Sequence, residues 1–403
     1  MSAGVVIVGA GQAGYQAAAS LRTEGYEGSI TLIGEEPHPP YQRPPLSKAF
    51  VMGKQDQSRL LLRPEAFYRD HRIDLLAGER AIAIERTERR VRLESGRQVN
   101  YDTLVLALGA RNRALPLLGS ELKGVRYLRT LAEGLELKQR LEQAQHVAVI
   151  GGGFVGMEVA ASARAMGKQV TVMEALPRLM ARAVAPVISG FLHASHTAQG
   201  IEIILDAQVR EVRCPGKSYE ILLGDGRAIP ADLVIAGVGV VPNTELASEA
   251  GLPVANGILA DEFLRTEDPS IYAIGDCAAY PSVYSGSRVR LESVQNAADH
   301  GVSVARTITG KLAPYNAVPW FWSDQADIRL QMAGLAIGHE HRVLRGDPQS
   351  GKFSVFYFRS ARLCAVDSVN RPADHMAARK LLGSGNSLTP EQAADESVNL
   401  KML

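Results

Sequence analysis

Val5-Val6-Ile7-Val8-Gly9-Ala10-Gly11-Gln12-Ala13-Gly14 is an apolar strand that runs straight into a G-x-G-x-x-G turn. Each glycine has its own physical task. Gly9 permits the tight turn, Gly11 lets a pyrophosphate approach the backbone, and Gly14 lets the following helix pack close to the strand. That helix, expected from Gln12 to about Arg22, offers unpaired N–H groups and the positive end of its dipole to an anion. A second strand, Ser29 to Ile33, ends in Gly34-Glu35. Glu35 lies 21 residues past Gly14, the spacing at which a carboxylate reaches the ribose hydroxyls of an adenosine. A glycine fingerprint alone is weak evidence; with strand, helix and acid in order it predicts a dinucleotide site.

The pattern occurs twice. His146-Val-Ala-Val-Ile-Gly151-Gly-Gly153-Phe-Val-Gly156 is another strand into G-x-G-x-x-G, followed by a helix from Phe154 to Met166 and a strand from Gln169 to Met173 that ends in Glu174, 18 residues past Gly156. Either two dinucleotides bind or the chain duplicated an ancestral domain. A carboxylate accepts hydrogen bonds from a free 2′-hydroxyl and repels a 2′-phosphate, so Glu35 and Glu174 fit FAD or NAD and argue against NADP.

Composition excludes several other classes. A chain of 403 residues suggests roughly two to three domains at about 150 residues each. With 46% hydrophobic residues and a net charge of +1, nothing favours nucleic-acid or anionic-membrane binding. No apolar run approaches the ~18 residues of a membrane span, and strand 1 begins almost at once, which leaves no room for a signal peptide. A cytoplasmic protein, monomeric or weakly dimeric, is expected. The three cysteines, Cys214, Cys277 and Cys364, are odd in number and far apart, as suits a reducing compartment. His193 and His196 have i, i+3 spacing but no third ligand, so they read as a solvated helix face and no metal site is expected.

The remaining motifs are local. Residues 36–48 form a proline-stiffened loop able to hold Arg43 and Lys48 over a ligand. Short β runs follow at Ala81 to Ile84, Arg90 to Leu93 and Thr103 to Gly109, and the composition becomes linker-like around Arg111 to Pro116. Ser270-Ile-Tyr-Ala-Ile-Gly275-Asp276-Cys277 is a strand ending in Gly-Asp, where Asp276 taken by itself reads as a turn residue. A helix expected from Glu292 to about Thr309 would favour negative charge developing on a ring at its N-terminus. Pro319-Trp320-Phe321-Trp322 then opens a region of alternating β-like runs and a final helix, Ala373 to Leu382. The fold class is α/β: two Rossmann-like dinucleotide-binding domains and a C-terminal α+β domain.

Taken together, the two fingerprints, Tyr41-Gln-Arg-Pro-Pro-Leu-Ser-Lys48, Tyr127-Leu-Arg-Thr130, Gly275-Asp-Cys277, Glu292-Ser-Val-Gln-Asn296 and Pro319-Trp-Phe-Trp-Ser-Asp-Gln325 resemble the flavin-dependent ferredoxin reductases of the putidaredoxin reductase type, over nearly the whole chain. The resemblance implies a glutathione-reductase-like architecture, with 1–112 and 241–313 binding FAD, 113–240 binding NADH and 314–403 as C-terminal domain. It places Gly9, Gly11, Ala13, Gly14 and Glu35 on the adenosine and pyrophosphate of FAD, Lys48 beside the flavin ring, Ala81 at the adenine, and Arg43 and Arg129 against the cofactor. It sets Asp276 on ribityl or phosphate-side hydroxyls and the Val294 N–H at the pyrimidine end of the flavin. Gly151, Gly153, Gly156 and Glu174 would hold NADH, Glu158 would pair with Lys48, and Trp322 would pack on the flavin, leaving Trp320 as a core residue.

The expected reaction is hydride transfer from NADH to FAD, with Lys48 and the helix N-terminus at Ser293 and Val294 stabilising the charge gained. No cysteine precedes Cys214, so there is no C-x-x-C pair and no redox cysteine in the Arg43–Lys48 loop; Ser47 cannot replace one. Cys277 reads as a small buried residue. Electrons must then leave the flavin directly, most naturally to a [2Fe-2S] ferredoxin, which in that family serves a haem-thiolate (cytochrome P-450) monooxygenase or a ring-hydroxylating dioxygenase. An acidic ferredoxin would be steered by Arg59, Arg63, Arg306, Lys311 or Lys380. The alternatives are a reductase of rubredoxin, a quinone or oxygen, or a non-enzymatic interaction protein of the same fold, like apoptosis-inducing factor.

Overall fold

In the computed structural model, which describes residues 4–117, 125–216 and 218–403, the strand Val5–Val8 lies at the centre of a parallel sheet. The sheet runs Ile271–Ala273, Thr103–Leu106, Val5–Val8, Ile30–Gly34, Ile73–Ala77, with Val5 opposite both Ile30 and Thr103. All four residues of Val5–Val8 are buried, which is why the strand reads as a continuous apolar run: helices cover both faces of such a sheet. The chain winds outward from Val5–Val8 to Ile73–Ala77 and then returns to the other side at Thr103–Leu106. That reversal opens a crevice at the carboxyl end of the first strand, where the glycine turn sits.

This sheet belongs to a compact unit of residues 1–42, 61–111 and 241–321. It also holds the antiparallel strands Ala81–Glu85, Arg90–Leu93 and Gln98–Asn100. Its fingerprint helix, Gln12–Thr23, lies against the helix Val294–Ile308, and Gly301 sets their separation. A Cβ at Gly301 would lie 2.7 Å from the Ala17 nitrogen and 2.9 Å from the Ala13 oxygen. Backbone is pressed on backbone there, so no side chain can rotate aside.

The second unit comprises 43–60, 112–240 and 322–403. Its parallel sheet repeats the same pattern: Ile201–Ile204, Gln169–Met173, His146–Ile150, Leu233–Ala236, Val125–Arg126. A five-stranded antiparallel sheet follows in the order Trp320–Gln325, Ile328–Gly334, Arg362–Val369, Lys352–Arg359, His341–Asp347. The chain passes from the first unit into the second along Trp320–Gln325. One apolar core joins the two sheets of this unit, with Val149 and Ile188 in the same cluster as Phe353 and Val355. Phe191 meets Phe353 edge-on at 5.4 Å, a favoured aromatic geometry.

Gly301→Ala gains helix propensity but must push two helices apart. It should lower stability by about 1–3 kcal/mol, read as a drop in the thermal midpoint of the purified protein; an unchanged midpoint would show that the helix pair can slide.

Candidate active site

Gly9 has φ +112°, and a Cβ there would lie 2.1 Å from the Ala107 oxygen; at Gly14 it would lie 1.9 Å from the Gly9 oxygen. These two glycines close the turn on itself. Gly11 differs: a Cβ there meets nothing within 4 Å, so its backbone faces open space. The helix Gln12–Thr23 starts at Gly11 with no side-chain cap and no acidic residue in its first turn. A bare glycine face over uncapped N–H groups fits a pyrophosphate. Ala13 is buried on that helix, and Ala81 opens the strand Ala81–Glu85. Glu35 stays largely exposed, 3.7 Å from Arg80.

In the same unit Gly275–Cys277 forms a 3-10 turn after Ile271–Ala273. The Gly275 N–H donates to His300 Nδ1 at 3.1 Å, and Arg290 donates to the Asp276 carbonyl at 3.1 Å. Burial pushes His300 down to about 3, so it stays a neutral acceptor. Burial likewise pushes the Cys277 thiol up to about 11, which makes it inert packing. Val294 is the first residue of its helix, and the capping Ser293 Oγ accepts from the Asn296 N–H.

The second cradle repeats the division of labour. Gly151 has φ +107°, with a would-be Cβ 2.4 Å from the Gly237 oxygen, and at Gly156 a Cβ would meet the Gly151 oxygen at 2.1 Å. Gly153 is open, its nearest atom 4.0 Å away, and its helix Phe154–Ala165 also lacks a side-chain cap. Glu174 does more than the sequence indicates. Its Oε2 accepts the Gly152 N–H at 2.7 Å and its Oε1 the Leu176 N–H at 2.8 Å, so the acid also fixes the turn it follows.

Lys48 and Glu158 meet. The loop's 3-10 turn Pro44–Ser47 delivers Lys48 Nζ to 2.6 Å from Glu158 Oε2, and Nζ also donates to the Pro44 carbonyl at 3.2 Å. The carboxylate is 7% exposed and the ammonium 20%. A charge removed from water must have its lone pairs filled; two hydroxyls do so here, and a third fastens the loop that brings one of them. Ser47 Oγ donates to Oε2 at 2.6 Å, Ser323 Oγ donates to Oε1 at 2.7 Å, and Ser162 Oγ, one helical turn beyond Glu158, donates to the Ser47 carbonyl at 2.8 Å. Beside this group Arg43 donates to the Arg129 carbonyl at 2.5 Å, and the Arg129 N–H donates to Glu133 at 2.7 Å. Sequence reading missed the three serines. The only signal was polar residues at the alternating buried positions, Ser323 and Gln325, of an otherwise aromatic strand.

Two expectations need correction. His196 is fully buried and its Nε2 lies 2.9 Å from Gln325 Oε1, so it is not on a solvated face; the helix Pro186–Ala198 turns that residue inward because Ile188, Ser189 and Leu192 share its side. Trp320 is only half-buried, as Trp322 is, rather than enclosed in the core. The five candidate docking cations are all exposed, but Arg306 and Lys311 both bind Glu24, at 3.0 and 2.7 Å, and Lys380 donates to the Lys401 carbonyl.

Comparison with known proteins agrees with this geometry. Residues 3–301 match the pyridine nucleotide-disulphide oxidoreductase family and 320–403 the reductase C-terminal family. The chain is 50% identical to rhodocoxin reductase of Rhodococcus erythropolis, over 99% of this chain and 93% of that protein. It is 48% identical to the ferredoxin reductase for the CYP199A2 system of Rhodopseudomonas palustris, with TM-score 0.96 over 99% of this chain and 98% of that one. It is 41% identical to the reductase in a covalent putidaredoxin reductase-putidaredoxin complex, with TM-score 0.95 over 99% and 97% of the two chains. The chain therefore belongs to the pyridine nucleotide-disulphide oxidoreductase family, in its branch of ferredoxin reductases.

Proposed function

We propose that the protein is an NADH-dependent ferredoxin reductase, with FAD at the Gly9–Gly14 cradle, NADH at the Gly151–Gly156 cradle and a [2Fe-2S] ferredoxin as acceptor. The support is the conjunction of two open dinucleotide cradles with a chain that cannot relay electrons as thiols. All three cysteines are free; Cys277 and Cys364 are buried and Cys214 is exposed on a different stretch of chain. A dithiol reductase needs two of them side by side. FAD held there would supply two-electron uptake from NADH and one-electron release, which suits an iron–sulphur acceptor.

The chain's own residues supply binding and field. Gly9, Gly11, Ala13 and Gly14 admit the FAD pyrophosphate, Glu35 and Ala81 take its adenosine, and Arg43, Arg129 and Asp276 hold it further along. In this reading residues 1–112 and 241–313 serve FAD, 113–240 serve NADH, and 314–403 contribute Trp322. Gly151, Gly153, Gly156 and Glu174 hold NADH, and Glu174 disfavours a 2′-phosphate by charge. Lys48 keeps one ammonium in a fixed place because Glu158 and the Pro44 carbonyl grip it. A fixed positive charge, with the N-terminus of Val294–Ile308, favours the charge that accompanies reduction without reorganising at the moment of reaction. The ferredoxin so reduced serves a monooxygenase or dioxygenase in the cytoplasm, and the reductase acts as a monomer or weak dimer.

Lys48→Ala should slow flavin reduction by NADH, followed by stopped-flow absorbance, by about tenfold to a hundredfold while FAD content stays at the wild-type level. An unchanged rate removes Lys48 from the reaction. Cytochrome c reduction by NADH should require an added [2Fe-2S] ferredoxin and weaken as salt rises, with NADPH a poorer donor. Rapid flavin bleaching without ferredoxin dependence would move the acceptor to rubredoxin, a quinone or oxygen, and absent NADH turnover would leave an interaction protein.

A further inference from the structure

His196 has no place in the reaction described so far, yet it ends a buried polar chain that starts at Glu158. The links are Ser323 Oγ to Glu158 Oε1 at 2.7 Å, Gln325 Nε2 to Ser323 Oγ at 3.1 Å, and His196 Nε2 to Gln325 Oε1 at 2.9 Å. Ser323, Gln325 and His196 are each 1% exposed or less. The direction of every bond follows from the first. A carboxylate paired with an ammonium only accepts, so the Ser323 hydroxyl donates to it. That hydroxyl has then used its single hydrogen and must accept, so Gln325 turns its NH2 toward it. The Gln325 carbonyl oxygen is left facing the imidazole, and His196 must carry its proton on Nε2. All donors therefore point toward Glu158.

This arrangement has a cost that packing alone does not explain. Nδ1 of His196 is buried with no well-formed hydrogen bond among the described residues, Gln199 and the Asp327 carboxylate being the polar groups that act on the ring from that end, whereas an apolar side chain would fill the same space without a poorly satisfied acceptor. Burial also holds the imidazole below its usual range, partly offset by Gln325, Asp327 and Gln199, so it acts as a neutral donor. A second contact ties the same helix end to the same hairpin, with Gln199 Nε2 donating to Asp327 Oδ1 at 3.0 Å.

We propose that His196 is a positioning residue: through Gln325 and Ser323 it holds the Glu158 carboxylate in the orientation that grips the Lys48 ammonium. The inference rests on the role assigned above to the Lys48–Glu158 pair. Without the imidazole donor, Gln325 can rotate its amide, Ser323 loses its fixed direction, and Oε1 of Glu158 loses its partner. Fully buried networks of this kind hold one arrangement only while every link is made.

The test uses the FAD-loaded holoenzyme and reads both the stopped-flow rate of flavin reduction by NADH and the flavin midpoint potential. His196→Leu and Gln325→Met should each slow reduction about tenfold and make the potential more negative, with FAD content retained. His196→Gln places an amide N–H where Nε2 stood and should restore both readouts. The double variant His196→Leu/Glu158→Gln should be no slower than Glu158→Gln alone, because the two act on one contact. The proposal is overturned if His196→Leu and Gln325→Met reduce at the wild-type rate and potential, if His196→Gln is as slow as His196→Leu, or if the double variant multiplies the two defects. A Glu158→Gln enzyme as fast as the wild type instead overturns the reading of the pair itself, and His196 with it.

Discussion

A single buried carboxylate ties three separate segments of the second unit together. Glu158 is 6% exposed, and an acceptor withdrawn from water binds together whatever segments can donate to it. Here the donors come from parts of the chain far apart in sequence: Ser47 and Lys48 on the proline loop, and Ser323 on the first strand of the C-terminal sheet. Ser162, on the same helix as Glu158, fastens the loop a second time through its backbone. The Glu158 carboxylate thus fixes the Lys48 ammonium and fastens the loop and strand around it through the same contacts.

The two glycine cradles show one geometric solution applied twice. In each, the first glycine takes a positive-φ conformation that side chains rarely adopt, a Cβ on the third would overlap the first's carbonyl oxygen, and only the second is open. The difference lies in the acids. Glu35 is exposed beside Arg80, whereas Glu174 is drawn back onto the Gly152 and Leu176 N–H groups. The second acid therefore preorganises its own turn, and replacing it would disturb the cradle as well as any ribose contact.

The family takes its description from disulphide chemistry, yet this chain has no cysteine pair to perform it. Cys277, in the Gly275–Cys277 turn, is sealed in the core with its proton held on by burial. The loop Arg43–Lys48 carries no cysteine, and its Ser47 is committed to Glu158 as a hydrogen-bond donor. With its three cysteines apart, a dithiol relay is not open to this chain.

The sequence by itself determined the parts whose physics is local. Apolar strands, glycine turns and the helices after them depend on neighbours within about twenty residues, so both Rossmann-type folds were legible, and strands such as Arg90–Leu93 and Gln169–Met173 fell where alternation and apolar runs placed them. The Lys48–Glu158 pair was legible only through family resemblance, since 110 residues separate the partners and no spacing rule spans that distance. Ser47, Ser162, Ser323, Gln325 and the inward turn of His196 were decided by tertiary structure alone. Serine and glutamine are ordinary surface residues until folding buries them beside a charge, and a histidine on a helix faces water or core according to what the helix is packed against.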